Sequence, residues 1–95
     1  MRLTVAGDIQ ELTQINIEES VGKQHELVLF NDEVNTFDWV IESLIEVCDH
    51  TVEQAEQCAL ITHYKGKCGV KSGSWDDLKP RCINLCERGL SAEII

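Results

Sequence analysis

A small α+β fold of element order β-α-α-β-α-β, with helices laid over a short sheet, is predicted for this 95-residue chain by three observations. Compact apolar runs bounded by turn residues alternate with segments of three-to-four apolar spacing. A hydroxyl residue placed to cap a helix precedes each helical segment, and glycines stand where helices should stop. A chain of this length builds one hydrophobic core. A single domain over residues 26–95 is therefore expected, led by residues 1–25 as a flexible extension.

The extension has no sustained apolar period, and its one candidate element is a short strand at residues 12–17. Its acids and missing apolar stretch also argue against a secretory signal. The first strand of the domain is Leu27-Val28-Leu29-Phe30, stopped by Asn31-Asp32. Thr36 then caps a helix to Cys48 whose buried face is expected to be Phe37, Val40, Ile41, Leu44, Ile45 and Cys48. Thr51 with Gln54 forms a T-x-x-Q capping box for a second helix, which Gly66 ends. Cys68-Gly69-Val70 reads as a short strand turning at Ser72-Gly73. Ser74 with Asp77 repeats the capping pattern before a third helix that carries Leu78, Cys82, Ile83, Leu85 and Cys86 and closes at Gly89. Pro80 is tolerated there only within the first turn or at a bend. The residues 90–95 supply a last strand.

The net charge of −9 argues against a nucleic-acid partner, whose phosphates require a basic surface. Residues 27–64 hold eight acids and no Lys or Arg, whereas residues 65–95 are net basic. Such a segment either attracts a cationic ligand or is a solvated acidic face. No apolar run approaches the roughly 18–20 residues of a membrane-spanning helix, so a cytoplasmic protein with no membrane partner is expected. The five cysteines (Cys48, Cys58, Cys68, Cys82, Cys86) are odd in number and contain no C-x-x-C, the pattern of reduced, mostly buried thiols. Cys82 and Cys86 could offer two metal ligands, but no histidine is placed to complete a site. No metal or cofactor is expected.

Three constellations could carry chemistry. Asn31-Asp32-Glu33 follows the first strand, where amide and carboxylate oxygens can converge on one cation, although these are also common turn residues. His63 ends the second helix, where a neutral imidazole can accept from an ammonium or simply interact with the helix dipole. Cys68 with His63 would make a nucleophile pair, but nothing supplies oxyanion donors, so no catalytic residues are expected. His25 and His50 have no partner at a telling spacing.

The strand running into Asn31-Asp32-Glu33, Asn35-Thr36-Phe37 opening a helix, then His63-Tyr64-Lys65-Gly66-Lys67 and Cys68-Gly69-Val70, together resemble the ClpS adaptor family from about Glu26 to Ile95. The resemblance implies a three-stranded antiparallel sheet covered by three helices. It also implies an adaptor that recognises N-degrons, proteins with a free amino terminus and a bulky apolar first residue, and hands them to a ClpA-like AAA+ unfoldase. On that resemblance Asn31, Asp32 and His63 hold the α-ammonium group. Leu29, Glu33, Asn35, Phe37, Val40, Ala59, Thr62 and Ile94 wall the side-chain pocket, and Lys79 contacts the unfoldase. The sequence departs from the family pattern in Glu33 for an aspartate, Phe37 and Ala59 for methionines, Ser74 for an acid, and a shortened segment between Lys67 and Cys68. The rival is an interaction domain like the C-terminal domain of the ribosomal stalk protein, which resembles this fold but has no need of Asn31, Asp32 and His63 together.

Overall fold

The computed structural model describes residues 24–95, so the candidate strand at 12–17 lies outside the described residues. The elements are β1 (His25–Phe30), α1 (Phe37–Cys48), α2 (Val52–Lys65), β2 (Lys67–Gly73), α3 (Trp75–Glu87) and β3 (Ser91–Ile94). β1 is the central strand of one antiparallel sheet of order β2-β1-β3. The described residues adopt the expected α+β fold of three strands and three helices.

Each helix starts at the cap its sequence announces. The Thr36 hydroxyl accepts from the Trp39 backbone N–H at 3.1 Å. Thr51 and Gln54 cap reciprocally, at 3.1 Å and 2.9 Å. Ser74 accepts from Asp77 N–H at 3.2 Å. α2 ends at Gly66, whose φ of 93° lies in the left-handed region that a side chain disfavours. Pro80 falls at the sixth residue of α3, beyond the first turn, and the helix continues to Glu87. β2 runs from Lys67 to Gly73, longer than the three residues expected, because its polar second half pairs with His25–Leu27. Leu27 faces Lys71 and Val28 faces Gly69, leaving Val70 as the extra residue of a bulge.

Leu27 and Leu29 point to the same side of β1 and are buried with Leu44, Val47, Ala55, Val70, Leu78, Leu85 and Leu90 in one core. Arg88 fastens α3 to α1. Its guanidinium pairs with Glu46 at 2.6 Å and lies 5.4 Å from the centre of the Trp39 ring, whose N–H donates to the Arg88 carbonyl at 3.0 Å. Among the described residues no helix is long and apolar enough to cross a membrane.

Candidate functional site

β1 ends where α2 ends, and that coincidence builds the site. The Asn31 backbone N–H donates to the Gly66 carbonyl at 2.9 Å, tying the strand exit to the left-handed turn that closes α2. His63 lies one helical turn before that turn, so the start of the loop 31–36 and the end of α2 face a common space. A concavity of about 230 Å³ opens there, lined by Leu29, Phe30, Asn31, Asp32, Glu33, Asn35, Phe37, Val40, Ala59, Thr62, His63 and Leu90. Its lining is apolar at Leu29, Phe30, Phe37, Val40, Ala59 and Leu90 and includes the acceptor-bearing residues Asn31, Asp32 and Glu33.

Asp32 is held by its own loop. Oδ1 accepts from the backbone N–H groups of Val34 at 3.0 Å and Asn35 at 3.1 Å, and the Asn35 side-chain amide donates to both carboxylate oxygens. Partial burial raises the Asp32 pKa, but the hydrogen bonds from Asn35 and Val34 outweigh it and hold the carboxyl below its ordinary value of 3.8. The group is therefore ionised at neutral pH. A carboxylate has about four acceptor positions, and Oδ2 accepts from Asn35 alone, so it keeps capacity for a cation.

Asn35 does more than wall the pocket. Its amide also donates to the Gly89 carbonyl at 2.9 Å, joining the loop to the corner between α3 and β3. Gly89 has a φ of 90°, so that corner takes a left-handed residue that glycine supplies at low cost. The spacing Asp32-x-x-Asn35 is a turn signal, yet a partner 54 residues away leaves no local trace.

Ten of the expected ligand-binding residues line this one concavity, and Ile94 does not. Antiparallel pairing sets Ile94 opposite Leu27, three residues back from the Phe30 end of β1, about 10 Å away at the strand rise. It packs against the core instead. Leu90, immediately before β3, takes the wall position, and Phe30 joins it. Lys79 is exposed on α3 and lies outside the concavity.

All five thiols are free. Burial pushes Cys48 up to about 11, and burial together with the adjacent Cys58 thiol pushes Cys68 up to about 12. A catalytic thiolate requires the opposite shift. The Cys82 and Cys86 thiols both reach the Ala92 carbonyl, at 3.5 Å and 3.6 Å. No cluster of three His, Cys, Asp or Glu side chains able to hold a metal occurs among the described residues.

Comparison with known proteins agrees with the motif reading. Residues 21–93 match the family described as ATP-dependent Clp protease adaptor protein ClpS. The ClpS adapter protein of Campylobacter jejuni is 36% identical over 63 residues, 64% of this chain and 64% of that protein. The match thus spans just under two thirds of that relative. The Escherichia coli ClpS adapter protein is 27% identical over 85 residues, 85% of this chain and 80% of its own length. Among solved structures, Agrobacterium tumefaciens ClpS2 bound to L-phenylalaninamide has the same fold, with a TM-score of 0.62 at 18% identity over 77% of this chain and 98% of that one.

Proposed function

Because this chain belongs to the ClpS family of ATP-dependent Clp protease adaptors, we propose that it binds the free α-amino group and bulky apolar first side chain of N-degron proteins and passes them to a ClpA-like AAA+ unfoldase. The family is one of adaptors, not of enzymes. The observation that carries the reading is the meeting of Asn31, Asp32 and His63 beside an apolar concavity sized for one side chain. An α-ammonium brings three N–H donors and a positive charge. Asp32 supplies the ionised acceptor, the Asn31 amide oxygen a neutral one, and a neutral His63 imidazole a third. An internal peptide bond offers one uncharged donor and satisfies none of this geometry. The apolar first side chain enters between Leu29, Val40, Ala59 and Leu90, where burial is worth about 1.5–3 kcal/mol for a leucine or phenylalanine. The ligand in the Agrobacterium ClpS2 structure is an amino-acid amide with a free amine and an aromatic side chain, the chemistry this concavity suits. Lys79, exposed on α3 away from the concavity, is the residue assigned to the unfoldase-facing surface.

Acetylating the amino terminus of a peptide that begins with Leu or Phe tests the reading. Acetylation removes the charge and leaves acceptors unpaired, a loss of about 1–3 kcal/mol. At least a tenfold weaker affinity than for the free peptide is expected by fluorescence anisotropy, and equal affinities would refute the α-amino assignment.

A further inference from the structure

β3 is an edge strand, bonded to β1 on one side only. Glu26 and Ile95 exchange both backbone hydrogen bonds, at 3.0 Å and 2.9 Å. Antiparallel bonds alternate, so Val28 with Glu93 and Phe30 with Ser91 are also bonded pairs, whereas Leu29 with Ala92 is a non-bonded one. The Ala92 carbonyl therefore points away from β1, to the open edge of the sheet. Two thiols of α3 meet it there. Cys82 Sγ lies 3.5 Å and Cys86 Sγ 3.6 Å from that one oxygen. The two residues stand one helical turn apart on the same face of α3, and a shared acceptor makes their sulfurs neighbours. Cys86 is exposed and Cys82 half-buried, so solvent reaches the pair. We propose that Cys82 and Cys86 form a two-thiolate binding site for a soft monovalent cation of the Cu(I) class.

The donor set selects the ion. Structural zinc takes about four ligands, and calcium and magnesium take oxygen, but no third His, Cys, Asp or Glu joins the pair among the described residues. Cu(I) is soft, prefers thiolate sulfur, and is satisfied by two such ligands in a near-linear arrangement. Burial, and next the adjacent Cys86 thiol, raise the Cys82 pKa, so the free thiol keeps its proton at neutral pH. The metal displaces that proton rather than needing a thiolate in advance. Two thiols and one Cu⁺ become a bis-thiolate complex with one negative charge and two H⁺, with no change of oxidation state. The Ala92 carbonyl then loses both S–H donors and turns to water at the open edge.

Preorganisation favours this pair over the other thiols. Both sulfurs belong to one helix, packed on the core through Leu78 and Leu85, so no element has to move to bring them together. Cys48 and Cys68 are buried, and Cys58 is half-buried on a different helix.

The test is titration of the reduced full chain with Cu(I) in competition with the chromophoric chelator bicinchoninate. One equivalent is expected to bind, at least tenfold weaker in Cys86→Ser and in Cys82→Ser and unchanged in Cys58→Ser. Circular dichroism checks that each variant folds. Cys86 is exposed, so Cys86→Ser decides the matter alone if Cys82→Ser does not fold. Because two protons leave, wild-type affinity should rise about a hundredfold per pH unit near neutral pH, against about tenfold for a site with one thiol. The proposal is overturned if wild type binds no more tightly than folded Cys86→Ser, if the pH dependence corresponds to one proton, or if folded Cys58→Ser loses the bound equivalent.

Discussion

Asn35 and Asp32 show how one side chain sets the ionisation of another. The Asn35 amide donates to both Asp32 oxygens and to the Gly89 carbonyl, so replacing it with alanine removes bonds on both sides of the loop. The Asp32 pKa should then move up, since part of what lowers it is gone while its burial remains. A carboxyl with a depressed folded-state pKa contributes stability that is present above its unfolded value and lost as pH falls through the folded one. In Asn35→Ala that contribution should be smaller and its loss complete at higher pH, because the window between the unfolded and folded values narrows, together with a destabilisation of about 1 kcal/mol at neutral pH. Carboxyl NMR titration of both proteins checks it, and an unmoved Asp32 would mean that the two backbone N–H groups alone hold the charge. Much of this site was legible at the residue scale. Asn31, Asp32 and His63 carry motif identity, and ten named residues do line one concavity. Ile94 stands apart from the concavity because a residue's place along an edge strand depends on register, and pairing sets it opposite Leu27. Leu90 was expected to open the last strand, and it instead lies one residue before β3, where it lines the concavity.

At the scale of elements, the helix boundaries were the most readable part, since caps are local chemistry. Thr36, Thr51 and Ser74 each accept the bond that their sequence spacing promises. The second half of β2 was not readable, because Lys71, Ser72 and Gly73 are strand only by virtue of pairing with β1. Pro80 lies in the second turn of α3, in a helix packed on its core through Leu78 and Leu85, and removes one N–H there. Gly66 offers a clean test of the turn that joins α2 to the site. A Cβ there would meet nothing within 4 Å, so Gly66→Ala carries a conformational cost at φ 93° and no clash. The expected destabilisation is about 1–2 kcal/mol by urea unfolding. Because the Gly66 carbonyl also receives the Asn31 N–H, peptide affinity should fall in the folded variant as well. A variant that loses stability while binding normally would separate the turn from the placement of Asn31 and His63.

For the whole molecule the governing quantity is charge. The eight acids of residues 27–64 surround the concavity in sequence with no intervening Lys or Arg, and the chain as a whole carries −9. A cationic amino terminus approaching such a surface is drawn in before any contact forms, and the attraction is screened over about 10 Å at 0.1 M salt. Steering acts on association, whereas an ammonium seated as proposed would be held by short bonds that salt reaches less well. The association rate of a free-amine peptide should therefore fall several-fold between about 0.05 M and 0.5 M salt, with the dissociation rate changing much less. Glu42 and Glu56 are exposed and lie outside the concavity lining, so the double variant Glu42→Gln, Glu56→Gln removes field without removing contacts. Stopped-flow mixing should show slower association at low salt, a shallower salt dependence, and an unchanged dissociation rate in that variant. If salt and the two substitutions instead act on dissociation, or on neither rate, the acidic surface is a solvated face with no part in capture.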